Sequence, residues 1–510
     1  MTYKFIISFV FFCAALVLAS FPEWTIDDAF IYYRYAENLA NHGVLTWNVG
    51  ESVVEGYTGV ALPVILAGFL KLGFSPVEVS RFLGIGAYFL SLVFLLLIFR
   101  KLKINSNISA IALFLYASIP VLFTHATSGL DTMLFLTAMM GSIYAFFLMR
   151  PLLFFSALLF MSLVRPEGVV FSACLIGASA YYFYVYNRVK FKEFLLAFVL
   201  IYFVPALVYF LWRWNYYGQF LPNTFYVKTD GQFYLNNLLD LARYLRSALI
   251  APLILTLLIM LAEADIWWNK IKKQEGLENI FKMFFVASAV FALILIILFS
   301  RTHLVMNYAA RFYVPLLPLM WIVAAYFVNF GWLSIEKTKL EKPLRFKWIK
   351  ILAVILVVYQ AAFNLTKLKE EKVFAQNEAA MQKEQHTAIG KLLREKMPNS
   401  EWLVSYIDAG AIPYFSKLKN VDFGALNDIV LSRGKLSPEK RVDYFFAKNP
   451  GAAVFTGTSL EKLDYGKEAA VIIADARFKN YVLLKKYPSP TTSINYHEFL
   501  YVRKDLVKLF

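Results

Sequence analysis

The chain has 510 residues, 59% of them hydrophobic and only 17% charged, with 49 Phe and 31 Tyr. That composition lies far from the soluble average and fits lipid-facing helices with aromatic interfacial belts. A net charge of +16 would suit a nucleic-acid partner, but the Lys and Arg stand in short runs between apolar segments. No basic groove or recognition motif accompanies them, so nucleic acid is set aside. Cys13 and Cys174 both lie in apolar stretches and give no disulfide framework or thiol metal site.

A membrane span needs about twenty apolar residues. In chain order the candidates fall at 4–21, 79–99, 107–124, 131–149, 152–164, 168–186, 194–212, 246–262, 280–299, 313–331 and 349–364. The first reads as a retained anchor, since no small-x-small cleavage site precedes Phe21. Residues 59–73 are apolar too, but Pro63, Gly68, Lys71 and Gly73 interrupt them, and they read as a helix lying in the interface. The basic runs Arg100–Lys103, Arg150, Arg188–Lys192, Lys270–Lys273 and Lys337–Lys350 then share one side, the cytoplasmic one. The expected fold is a polytopic helical membrane protein of eleven spans in an inner (plasma) membrane. Its N-terminus is inside and its C-terminus outside.

Beyond residue 364 the composition changes. Residues 365–400 read as a charged helix. The apolar runs Trp402–Ile407, Ala452–Phe455, Ala470–Ile473 and Tyr481–Leu484 alternate with polar links, the pattern of a small α/β domain. The division is therefore 1–364, transmembrane, and 365–510, extracytoplasmic.

Chemistry is expected where charges gather on the outer side. Asp27 and Asp28 follow the first apolar segment and open an aromatic stretch. Paired acids at a membrane edge are costly without a role. They would cap a helix over 27–40, with Thr25 as the alternative cap. They would otherwise act as general base toward an acceptor hydroxyl, or share a divalent cation. Arg34 lies seven residues after Asp27, on roughly the same helix face, and suits a phosphate, a carboxylate or a lipid headgroup. Glu55 and Tyr57 flank Gly56 in a turn. Asp131 ends a His125–Asp131 loop whose Ser128 is a candidate cap. Arg165 and Glu167 stand at a Pro-Gly break in a membrane helix, tolerated where backbone lines a cavity. Asn223, Tyr226 and Lys228 belong to an aromatic loop suited to sugar hydroxyls and ring faces. Arg301, His303 and Arg311 are basic positions on the outer side, against the inside bias, and suit an anionic ligand. Arg311 alternatively snorkels from a helix end.

Taken in order, these residues resemble the GT-C superfamily of integral-membrane glycosyltransferases. The likeness is to the branch of terminal β-1,2-arabinofuranosyltransferases. The run from Asp27 to Ala36 is similar to its Asp-Asp-Ala-x-Ile-x-x-Arg-Tyr-Ala pattern. Val54–Thr58, Ser128–Asp131, Arg165–Gly168 and Pro222–Lys228 look like further landmarks, and Asp408–Ile412 and Leu426–Asp428 are fainter ones. The resemblance implies a polyprenyl-phosphate sugar donor, transfer on the outer face to a glycan, lipid or protein acceptor, and a catalytic aspartate at Asp27 or Asp28. Asp27 is the favoured base, with Asp28 positioning or binding a cation. No other cofactor is implied. The alternatives are a lipid-linked sugar transporter or flippase, a ligase or polymerase using a pyrophosphate-linked donor, and an envelope scaffold.

Overall fold

The computed structural model describes residues 2–228, 232–262, 277–304, 306–337, 343–434, 436–464, 467–491 and 495–510. Among these, six helices are long and apolar enough to cross a membrane. They are Pro76–Lys101, Glu167–Tyr186, Arg188–Tyr217, Glu278–Ser300, Leu316–Leu333 and part of Lys347–Lys396. The pair Ser106–Ala117 and Pro120–Thr127 would add a seventh span, bent by 56°. The bend sits before Pro120, which cannot donate to the helix that precedes it. The protein is a multi-pass membrane protein. The expected spans at 4–21, 131–149 and 152–164 fall on shorter apolar helices, Tyr3–Ala19, Thr132–Leu148 and Pro151–Val164. The 246–262 span falls on Leu235–Ala262. The basic run Lys270–Lys273 and part of Lys337–Lys350 lie outside the described residues.

Residues 59–73 form only the 11-residue helix Ala61–Lys71, about 16 Å long and too short to span. The break at Arg165 is real. Arg165 is extended (φ −151°, ψ 148°) between Pro151–Val164 and Glu167–Tyr186, as the residue before a proline prefers.

The helix Pro343–Met381 has 39 residues, about 58 Å, nearly twice the apolar thickness of a bilayer. Its second half carries Lys367, Lys369, Glu370, Glu371 and Lys372. It is tied to the other helices by Thr124–Glu371 (2.5 Å) and Lys372–Ser20 (2.7 Å). A π-helical turn, Gln382–Thr387, then leads into Ala388–Lys396 and the tail.

The tail holds a five-stranded sheet: β1 (Trp402–Ser405), β2 (Lys419–Asp422), β3 (Ala452–Gly457), β4 (Tyr481–Tyr487) and β5 (His497–Arg503), in the order β2-β1-β3-β5-β4. β2, β1 and β3 are parallel, and β5 and β4 continue antiparallel. Alternate side chains feed two cores. Leu403, Val454 and Leu500 pack on one face with Ile389 and Leu393, while Val404, Phe455 and Val421 pack on the other with Phe445 and Ile472. This is the expected α/β architecture with one correction. Residues 470–473, expected as a strand, lie in the helix Lys467–Ala474. A four-residue apolar run has no decisive period, and packing of Ile472 into the core settles it as helix.

Candidate active site

The acid pair opens a helix, Asp27–His42, that ends at Gly43 in the left-handed region (φ +71°). Its N-cap is Ile26, with no side-chain cap, so neither Thr25 nor Asp27 serves that helix as expected. Successive helical residues diverge by about 100°. The two carboxylates accordingly face different surroundings and do not share a partner.

Asp28 faces a cationic corner. Its Oδ2 lies 3.2 Å from Arg311 Nη1. The ring of Phe312 gathers three cations, Arg311 at 5.0 Å, Lys228 at 5.6 Å and Arg165 at 5.9 Å from its centroid. Arg165 is fully engaged. It pairs with Glu167 through Nη2 (2.7 Å) and Nε (3.3 Å), and with Asp131 through Nη1 (3.4 Å). Tyr32 donates to the other oxygen of Asp131 at 3.1 Å. Lys228, half-buried, has no carboxylate within ion-pair distance among the described residues. Burial, reinforced by Arg311 and Arg165, pulls its ammonium down to about 8, against the opposing pull of Asp28. A half-buried cation beside two arginines, with no carboxylate paired to it among the described residues, is a ready seat for an anion. Six sequence-selected residues thus converge: Asp28, Asp131, Arg165, Glu167, Lys228 and Arg311. Phe312, which organises them, carried no charge or motif to announce it.

Asp27 turns toward the tail. Its Oδ2 accepts from Gly410 N (2.9 Å) and its Oδ1 from Ala411 N (2.8 Å), at the start of Ala411–Ser416. It does cap a helix, though not its own. His386 Nδ1 stands 3.4 Å from Oδ1. Burial works against this carboxylate's charge, but His386 and the two backbone N–H groups outweigh it and lower its pKa. His386 is itself pulled down by burial and held up at about 9 by Asp408 and Asp27. A Cβ at Gly410 would lie 2.0 Å from the carbonyl oxygen of Asp27. Gly410→Ala is therefore expected to push the tail off the loop helix, seen as a lower Tm and faster proteolysis of the tail in detergent.

The remaining residues brace this frame. Arg34 is buried over Trp47 (4.5 Å). It donates to Trp47 O (2.9 Å), Asn48 Oδ1 (3.0 Å), Pro413 O (2.8 Å) and Leu418 O (2.8 Å), so it bolts the loop to the tail. Glu55 forms a buried pair with Arg213, Nη2 to Oε2 at 2.7 Å. Arg213, just past the apolar segment 194–212, was not among the residues singled out in sequence. Tyr57 bonds Tyr217 (2.9 Å). Asn223 donates to Ala425 O and Leu426 O of the tail. Tyr226 is exposed under Arg433 (5.3 Å). Arg301 and His303 are exposed; the His303 N–H holds Lys228 O at 2.8 Å while its ring stacks on Tyr234. An apolar cavity of about 470 Å³ is lined by Asn105, Trp321 and Val354 among others and includes none of the acids named above.

Asp27 and Asp28 do not come together as ligands for the cation that the acid pair suggests. Among the described residues, the cluster of ligand atoms close enough for a metal joins Asp27 to His386 and Asp408, without Asp28.

A family model described as "Domain of unknown function (DUF8728)" matches residues 375–505. No curated protein matches the chain. Solved structures do. ArnT from Cupriavidus metallidurans in the apo state superposes with a TM-score of 0.58 at 11% identity, over 100% of this chain and 99% of that one. The same protein bound to undecaprenyl phosphate gives 0.55 at 12%, over 97% of each chain. The archaeal oligosaccharyltransferase AglB from Archaeoglobus fulgidus, in complex with an inhibitory peptide and a dolichol-phosphate, gives 0.57 at 11%, over 96% of this chain and 74% of that one. Membrane helices, loop helix and tail together therefore adopt the GT-C-like fold that these proteins share.

Proposed function

We propose that the chain is a glycosyltransferase that moves a sugar from a polyprenyl-phosphate donor to an envelope glycan, lipid or protein. The acid-bearing end and the tail lie on the outer face of the membrane. The observation that carries this reading is the corner where Asp28 meets Arg311, Lys228 and Arg165 around Phe312. The fold likeness supports it, since the matching ArnT and AglB structures hold undecaprenyl phosphate and dolichol-phosphate. A transporter would string its charges along a mid-membrane path, whereas these gather at helix ends.

The donor phosphate sits against Lys228 and draws Arg311 from Asp28. The freed Asp28 accepts the acceptor hydroxyl's proton as its oxygen bonds the anomeric carbon, and the bond from that carbon to the phosphate oxygen breaks. Lys228 and Arg311 hold the charge left on the lipid phosphate, the fixed-dipole stabilisation that usually dominates such steps. Arg165, locked by Glu167 and Asp131, keeps its positive charge in place. The sequence resemblance makes a pentofuranosyl donor the first to try, with hexosyl donors beside it.

The test is transfer of labelled sugar from a panel of polyprenyl-phosphate donors to envelope extracts. Transfer from pyrophosphate-linked donors alone would support the ligase reading instead. A pH profile adds a second check. Lys228 is protonated below about pH 8, so the KM for donor should be low there and rise as pH passes through that value. Lys228→Gln should raise KM throughout and remove that rise. A wild-type profile unchanged between pH 7 and 9.5 would remove Lys228 from the phosphate seat.

A further inference from the structure

We propose that Asp27, His386 and Asp408 form a divalent-cation site that joins the loop helix to the tail domain. The three come from separate places: the first turn of Asp27–His42, the π-helical turn Gln382–Thr387, and the loop after β1. Their ligand atoms lie within 4.8 Å of one another. His386 is 4% exposed, and neither ring nitrogen makes a hydrogen bond. Carboxylate oxygens surround it at 3.4 Å (Asp27), 3.8 Å (Asp408) and 3.9 Å (Glu498).

Asp27 faces Nδ1, whereas Asp408 and Glu498 face Nε2, so the ring offers one nitrogen to a metal and keeps the other for a neighbouring carboxylate. Taking one atom from each residue, the ligand set spans no more than 4.8 Å, against about 3.4 Å between tetrahedral ligands with bonds of about 2.1 Å. Three carboxylates, those of Asp27, Asp408 and Glu498, thus face one buried imidazole within 4 Å. Asp27 meets only one N–H at each oxygen, which leaves lone pairs free. The π turn that carries His386 belongs to a class of distortion often found at functional positions. One imidazole with carboxylates favours a cation of the zinc or manganese kind over calcium or magnesium. Bound there, the ion fixes the first turn of the loop helix and hence the aim of Asp28. The site stands independently of the transfer chemistry proposed above.

The full chain in detergent, stripped with EDTA and reloaded with ZnCl2 or CoCl2, should retain one metal equivalent by elemental analysis. The Co²⁺ form should show visible d–d absorption, and the Tm should rise on reloading. His386→Gln and Asp408→Asn should each weaken retention at least tenfold. If either variant is too unstable to purify, the wild-type Tm difference between EDTA and metal decides. Wild type that takes no metal and keeps its Tm overturns the proposal. So does metal retained equally by folded His386→Gln and Asp408→Asn.

Discussion

Asp28→Asn should abolish most sugar transfer while leaving the protein folded. Asn keeps a carbonyl oxygen for Arg311 and nearly the same volume, so the Tm should stay close to wild type. What it loses is the proton acceptor, and loss of a general base costs typically 10²- to 10⁴-fold in rate. The fall should appear in kcat, with the KM for donor little changed, because the phosphate contacts belong to Lys228 and Arg311. Asp27→Asn should behave differently. Its amide nitrogen would point at the Gly410 or Ala411 N–H and at His386, so Tm and activity should fall together. The opposite pattern, Asp28→Asn active and Asp27→Asn inactive with an unaltered Tm, would transfer the role of base to Asp27.

Arg34→Ala should detach the tail from the loop. Four hydrogen bonds from a buried cation end at once, and Leu418 O loses this donor, while Trp47 O keeps Asn38 and Pro413 O keeps its local contacts with Ser416 and Lys417. Bonds to charged groups are worth about 1.5–3 kcal/mol each and are not additive, so a loss of about 3–5 kcal/mol is expected. Burial draws the guanidinium down to about 10, still charged at neutral pH. Arg34→Lys should rescue little, because an ammonium cannot reproduce the planar fork. The measurement is protease release of the tail alongside Tm. If Arg34→Ala leaves both unchanged and raises only the KM for donor, Arg34 is a phosphate ligand after all. For the same reason, deleting residues 380–510 is a poor probe of the tail, since it strips partners from Arg34, Asp27 and Asn223 together.

Much of this was legible in sequence because charge in an apolar chain is conspicuous. Asp28, Asp131, Arg165, Glu167, Lys228 and Arg311 stood out one by one, at the ends of hydrophobic segments or in the loops between them, and the fold brings them to one corner. The break at Arg165-Pro166 was readable from proline stereochemistry. The division of labour within the acid pair was not. Adjacent residues look equivalent in a string, and only the helix phase separates Asp27 from Asp28. His386 lay in a run rich in Lys, Glu and Gln, where a histidine resembles solvated surface. Its burial depends on a π turn and on β5, hundreds of residues from the partner loop. Phe312 was hidden for the converse reason: one of 49 phenylalanines carries no signal until three cations are seen around it. The tail stretches Asp408–Ile412 and Leu426–Asp428, faint in sequence, are the edges that grip the loop. Asn427 accepts from Tyr35, and Gly56 has its place because a Cβ there would strike Asn427.

The contact between Asp27 and Ala411 joins residues 384 apart. A ribosome adding about 5–20 residues per second needs roughly 20 to 80 s to make that intervening length. Throughout that interval Arg34 and Asp27 of the loop helix still lack their partners from the tail. The first loop of the protein is thus among the last parts to reach its final form. A premature stop even near the end of the gene would leave its beginning misassembled, so membrane quality control would meet such products as faults of the N-terminal loop.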